Sequence, residues 1–386
     1  MKKSVILVIA VVIFLSLFYH KGLLIDKIDI TLLEPAIVMG IDKSDKKGQV
    51  RTTLLLKKIE ESKNQDDEED PSGEYEIESM DAETLSVSIE KIQEKHPKIL
   101  SLDSIAIFLI GEDALKEDLY KYIDYLSKYG DLRMISEIYF VKGDTAEAVI
   151  DDLGKESSTD IFKVLNTNSG ISAVNSEMEF IDFLQLLCNN NSAFATPTVE
   201  LKNESSESDI KNSISLGGYA IITKGKFSAY IESYLVRSYN MLKNYPAVSV
   251  IDVPMDDTVV ALNIENAKTQ YKYKFDGDML TDIYIYVKFF SNIKESENTD
   301  KMDSDSVISD LEAKQSHIIE DELWKIISIS VENESDFLGI GEKLRMKHPI
   351  KWKNIKDNWP EDLLKSKIHV EVDSVIQHTY DIIKIR

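Results

Sequence analysis

Ile283-Tyr284-Ile285-Tyr286-Val287-Lys288-Phe289 alternates strictly, with Ile283, Ile285, Val287 and Phe289 on one face and Tyr284, Tyr286 and Lys288 on the other. A period of two marks a half-buried strand, here running to Phe290. A polar loop follows, and then a run from about Ser306 to Val331 changes period. Its apolar positions, Ile308, Leu311, Ile318, Ile319, Leu323, Ile326 and Ile327, recur at helical spacing, with Trp324 at the edge of the stripe. Downstream, Ile368, Val370 and Val372 alternate with His369 and Glu371 in a final strand. Upstream, Val248–Val253, Val259–Ile264 and Thr269–Phe275 read as three more strands. Antiparallel strands covered by one long helix make an α+β domain over residues 247–386.

The rest of the chain mixes the two periods. Ala36–Ile41 and Val50–Ile59 read as strands. Ala82, Leu85, Ile89 and Ile92 share a helical face, as do Leu115, Leu119, Tyr122 and Leu126. Ser104–Ile110 and Glu137–Val141 are buried-strand runs, and Thr145–Leu153 a short helix. A small middle unit holds a helix at Phe180–Leu187 and strands at Thr198–Leu201 and Gly217–Ile222. A Lys224-Gly225-Lys226 turn returns the chain along Phe227–Ile231, before a helix at Ser233–Leu242. The polar stretches Glu60–Gly73 and Lys155–Ser176 read as a solvated acidic loop and a connection. The expected fold class is therefore α+β (mixed α/β), a three-domain ectodomain with mixed sheets and covering helices. Its parts are an anchor (1–24), an N-terminal α/β domain (25–170), a middle α+β domain (171–246) and the C-terminal domain (247–386).

The anchor is expected from Ser4–Tyr19, which carries no charge and follows Lys2 and Lys3. At 1.5 Å per residue it reaches roughly 24 Å, against a hydrocarbon core of about 30 Å, and Leu23–Ile25 can extend it. No small-x-small cleavage site follows, so an uncleaved span is expected over a signal peptide. Lys2 and Lys3 favour a cytoplasmic N-terminus and a folded part on the far side of the membrane.

Charge and cysteine usage exclude several functions. The 386 residues carry 45 Lys and Arg against 68 Asp and Glu, a net charge of −23, the wrong sign for a nucleic-acid partner. The single cysteine, Cys188, rules out an internal disulfide and a cysteine zinc site, and is expected to be a buried or half-buried thiol. Six scattered histidines suggest no metal site. The chain has no G-x-S-x-G, no H-E-x-x-H and no glycine-rich phosphate loop, so neither catalytic residues nor a cofactor are expected. Asp336 and His348 have no nucleophile to accompany them.

The C-terminal motifs are more informative. Asp336-Phe337-Leu338-Gly339-Ile340-Gly341 is followed by His348-Pro349-Ile350-Lys351-Trp352-Lys353, by Trp359, and by the Ile368–Val372 strand. Gly339 and Gly341 lack a phosphate-loop context and read as helix-end or positive-φ positions. Trp352 and Trp359 admit two readings, a docking face for a partner or packing over the long helix, and packing is the expectation. This stretch closely resembles the end of the Ger(x)C family, the C subunits of bacterial spore germinant receptors. Further resemblances, in the same order along the chain, are Gly40-Ile41-Asp42-Lys43, Ile105–Glu112, Leu126–Arg133, Val141-Lys142-Gly143 and Gly217–Ile231. Together they cover roughly residues 34–380.

The resemblance implies a non-catalytic C subunit of a membrane germinant receptor complex, acting in nutrient sensing and the initiation of spore germination. It implies a membrane-embedded A subunit and a permease-like B subunit as partners in the spore inner membrane, and a small-molecule germinant reached through the complex. Trp352, Trp359, Pro349, Gly339 and Gly341 would be its partner-docking or structural motif. One departure stands out. The family is typically lipidated on a lipobox cysteine, where this sequence has His20-Lys21-Gly22. The Ser4–Tyr19 segment is then expected to serve as anchor in its place. The rival reading is a membrane-tethered solute-binding protein or hydrolase, which needs a deep pocket lined by ionisable residues from separate segments.

Overall fold

The computed structural model describes residues 32–58, 75–128, 132–154, 178–188, 193–205, 210–255, 258–296 and 304–378. The expected anchor (residues 4–19), acidic loop (60–73) and connection (155–176) lie outside the described residues. Among those described, no helix is long and apolar enough to cross a membrane.

Two mixed sheets organise the molecule. The first contains β1 (Leu33–Lys43), β2 (Val50–Lys57), β3 (Tyr75–Ala82), β4 (Ile99–Ser101), β5 (Ile107–Ile110), β6 (Glu137–Val141), β7 (Ala193–Ser205), β8 (Ile210–Thr223) and β9 (Lys226–Glu232). Their order is β3-β2-β1-β5-β6-β7-β8-β9, with β4 beside the start of β1. The central pairs β1–β5, β5–β6 and β6–β7 are parallel and the outer ones antiparallel. β5 is Ile-Phe-Leu-Ile and wholly buried, as a central parallel strand covered on both faces requires. Helices α1 (Leu85–Lys95) and α2 (Leu119–Lys128) cover one face, α3 (Ala146–Leu153) the other, and α4 (Phe180–Cys188) returns to the first. Phe108, Ile110, Ile138 and Phe140 point to the first face, and Ile107, Leu109, Tyr139 and Val141 to the opposite one. Cys188 is the last residue of α4 and is exposed, not buried, because it shares the solvent-facing stripe of the helix with Asp182 and Gln185 while Phe180, Phe183 and Leu187 face the core.

The second sheet has the order β10-β11-β12-β13, formed by β10 (Ser249–Met255), β11 (Thr258–Asp276), β12 (Met279–Ser296) and β13 (Lys367–His378). The two strands expected at 259–264 and 269–275 are one long strand, β11, whose pairing shifts register between Ile264 and Asn266. On β12 the alternation holds: Ile283, Ile285, Val287 and Phe289 are all buried. Each such burial contributes about 1.5–3 kcal/mol before entropy is counted. The sheet is not wholly antiparallel, since β13 runs parallel to β12. Parallel neighbours need a crossover, and the helices after β12 supply it.

Among the described residues, five helices complete this half: α5 (Val236–Lys243), α6 (Asp305–Glu332), α7 (Ile340–Lys347), α8 (Pro349–Ile355) and α9 (Glu361–Lys365). α6 packs Leu311, Ile319, Leu323, Ile326 and Ile327 into the core. Its buried Gln315 accepts from Ser291 Oγ on β12 and donates to Ser374 Oγ on β13, both at 2.9 Å. The buried Glu322 accepts from Arg237 Nε at 3.0 Å, from Arg237 Nη2 and from Ser238 Oγ at 2.6 Å, tying α6 to α5.

β8 belongs to both halves. Ala220 and Ile222 point into the core under α1, α2 and α4, while Tyr219 and Ile221 point into the core under α6. Thr223 Oγ1 also lies 2.7 Å from Ser335 Oγ, beyond the end of α6. Strands of the segment expected as a middle unit thus extend the first sheet and floor the second core.

Candidate functional site

The motif residues converge on one carboxylate. Asp336 follows α6 in a short loop, and its Oδ1 accepts from Ile340 N at 2.8 Å. Its Oδ2 accepts from Gly341 N at 2.7 Å and from Trp359 Nε1 at 2.9 Å. Two amides at the start of α7, which have no partner within the helix, are thereby satisfied. Gly339, immediately before α7, has φ +67°, a left-handed conformation that glycine adopts without steric cost. It opens a helix where a helix end was also an expected reading. Gly341 is required for another reason. A Cβ there would sit 2.7 Å from Trp359 Cε2 and Nε1 and 2.9 Å from Trp352 Cη2.

The two tryptophans meet edge to face, with ring centroids 5.3 Å apart and planes at 64°. Both are half-buried against the core of the C-terminal half. Pro349 is exposed and starts α8, where its lack of an N–H costs nothing. The preceding His348 lies edge-on to Tyr273 and Phe275, at 5.9 and 5.5 Å. It is Trp359, not His348, that meets Asp336. Lys351 Nζ donates to Gly277 O at 2.8 Å and Asp278 Oδ1 at 2.6 Å, pinning α8 to the β11–β12 turn. All five motif residues, Gly339, Gly341, Pro349, Trp352 and Trp359, therefore lie on one small unit.

Its electrostatics follow from burial. Desolvation pushes the Asp336 carboxyl up, against its three donors and nearby Lys243, which pull it down. Burial pushes Lys243 down. Lys343 falls to about 8, through burial and then the charge of Lys243. With both oxygens of Asp336 already accepting, the carboxyl is committed to holding α7 and Trp359 in place.

A second carboxylate does similar work in the N-terminal half, and the sequence offered it only as part of Gly40-Ile41-Asp42-Lys43. Buried Asp42 accepts from Ala146 N at 2.8 Å and Glu147 N at 2.9 Å, while Thr145 Oγ1 accepts from Ala148 N at 3.1 Å. Three open amides of α3 are thus satisfied. Burial pushes the Asp42 carboxyl up to about 6.

An open groove is lined by Trp324, Ile327, Val331, Leu363, Leu364 and Ile368, with Glu332 at its edge. Trp324 is 38% exposed there, at the rim of the α6 stripe as expected. His369 is exposed, faces Asp282 Oδ1 at 2.9 Å and stacks on Tyr284. For metal ligation, Glu76, Glu78 and His96 bring ligand atoms within 4.8 Å of one another.

Comparison with known proteins gives two family matches. Residues 26–201 match the family described as "Spore germination protein N-terminal domain", and residues 217–380 match "Spore germination B3/GerAC like, C-terminal". The first match ends in β7 and the second begins in β8. A solved structure described as "Crystal Structure of the GerBC protein" has the same fold, with a TM-score of 0.58 at 16% identity, covering 88% of this chain and 97% of that one. No curated protein matches the sequence.

Proposed function

Because the chain belongs to the Ger(x)C family of spore germinant receptor C subunits, we propose that it is a non-catalytic scaffold or coupling subunit of a germinant receptor complex. In this reading it acts in nutrient sensing beside a membrane-embedded A subunit and a permease-like B subunit. It works at the outer face of the spore inner membrane, with the segment from Ser4 to Tyr19 as its tether. Tethering raises the effective concentration of the folded part near those partners. The germinant reaches the complex, and this subunit passes on the change.

One observation carries the coupling role. β8 sends alternate side chains into two cores, Ala220 and Ile222 into one and Tyr219 and Ile221 into the other. Close-packed interiors do not deform gradually, so a displacement imposed on one half is transmitted to the other. In this reading the motif around Asp336 is a structural brace, with Trp352 and Trp359 packed on the core.

The test is affinity purification of the tagged chain from spore membranes. Integral membrane proteins of the A and B types are expected to co-purify. Recovery of the chain alone, without integral partners, overturns the proposal.

A further inference from the structure

We propose that Glu76, Glu78 and His96 form a site for a divalent first-row transition cation, with Zn²⁺ as its best fit. Glu76 and Glu78 are two apart on β3, so their side chains leave the same face of the strand. His96 caps the C-terminus of α1, which lies beside that strand. Its loop is braced on both sides. His96 N donates to Gln93 O at 3.1 Å. Gln93 in turn donates through Nε2 to Lys98 O and accepts at Oε1 from Leu100 N, both at 2.8 Å.

The imidazole is oriented from behind. His96 Nδ1 lies 3.1 Å from Glu34 Oε2, with the two side chains only 6% and 7% exposed. A carboxylate acceptor keeps the proton on Nδ1 and leaves Nε2 with its lone pair, the carboxylate–histidine arrangement that supports metal ligation. Nε2 is buried and has no hydrogen-bond partner. It points at Glu78 Oε1 from 3.8 Å, too far for a hydrogen bond. Donors on one tetrahedral cation, each about 2.1 Å from it, lie roughly 3.4 Å apart. Small side-chain adjustments therefore bring the three donors, within 4.8 Å of one another, onto one ion. Glu76 and Glu78 are half-buried, which leaves a path for the ion and for water in the remaining positions. Lys58 Nζ, 3.7 Å from Glu76 Oε2, is the competing cation.

The donor set selects the metal. One imidazole nitrogen and two carboxylates suit Zn²⁺ and, less tightly, Mn²⁺, whereas Ca²⁺ and Mg²⁺ prefer oxygen alone.

The test uses the detergent-purified full chain, stripped with a chelator and titrated with Zn²⁺, Mn²⁺, Mg²⁺ and Ca²⁺ by calorimetry, with metal analysis after dialysis. About one tightly held Zn²⁺ per chain is expected, with Ca²⁺ and Mg²⁺ much weaker. Glu78→Gln and His96→Gln should each weaken Zn²⁺ binding at least tenfold. Glu34→Gln, whose carboxylate lies behind the imidazole and outside the ligand set, should weaken it about 10–100-fold. Should His96→Gln fail to fold, Glu76→Gln and Glu78→Gln on half-exposed side chains give the same reading. The proposal falls if the native chain shows no saturable Zn²⁺ binding, or if the Glu78 and His96 variants bind as the native chain does.

Discussion

The indole Nε1 of Trp359 donates to Asp336 Oδ2 at 2.9 Å, joining residues 23 positions apart across α7 and α8. Trp359→Phe keeps most of the ring and removes this donor, leaving a buried carboxyl one partner short. A hydrogen bond to a charged group contributes about 1.5–3 kcal/mol. Urea denaturation of the variant should show a loss of that size. An unchanged midpoint would mean that the bond holds nothing.

Gly341→Ala places a methyl group 2.7 Å from Trp359 and 2.9 Å from Trp352. Overpacking of this kind costs about 1–3 kcal/mol. Because the pair must separate, the near-ultraviolet circular dichroism of the tryptophans should change along with the melting temperature. A native spectrum would contradict the packing described.

Trp352→Ala separates brace from docking face. The ring packs on the core and on Trp359, so truncation should cost about 3 kcal/mol, the low end for a core tryptophan. Unchanged thermal stability with lost capture of membrane partners would make Trp352 a docking residue instead.

Arg237→Ala strips buried Glu322 of both guanidinium bonds and leaves it only Ser238. Removing one partner of a buried pair costs about 3–5 kcal/mol. Equilibrium denaturation measures this, and a loss under 1 kcal/mol would place the pair in effective contact with water.

Asp42 predicts a pH dependence of definite sign. Its carboxyl titrates near 6 in the folded chain against 3.8 for the group unperturbed. Between those values the folded state holds more protons than the unfolded one, so this group makes stability fall as pH rises from about 4 to 6. At 1.36 kcal/mol per pH unit the full effect is about 3 kcal/mol. Going from pH 4 to pH 7, denaturation curves should therefore show Asp42→Asn gaining up to about 3 kcal/mol of stability relative to the native chain. Parallel curves would refute the assignment.

Periodicity made much of this architecture readable. The residues from Ile283 to Phe289 alternate because one face of β12 is core, and α6 spans 305–332 where the apolar stripe suggested 306–331. β3 is not legible because its apolar residues change face, Tyr75 and Ile77 packing on one core and Met80 on the other, so that neither face carries a continuous stripe. The parallel direction of β13 leaves no mark on its own residues, since side chains alternate equally in either direction. The glycines and tryptophans of the C-terminal motif were visible as a set. Their common partner Asp336 was not recognisable as such, because hydrogen-bond geometry across the 23 residues to Trp359 has no linear signature. The same holds for Glu34, Glu76, Glu78 and His96, which two strands and the C-cap of α1 bring together.

A strand that serves two interiors has no side to spare. Severing the chain in the β7–β8 hairpin would leave Ala220 and Ile222 wet on one fragment and strip Phe194 of both on the other. Neither fragment should dissolve well by itself. The two halves are expected to unfold together, in one transition.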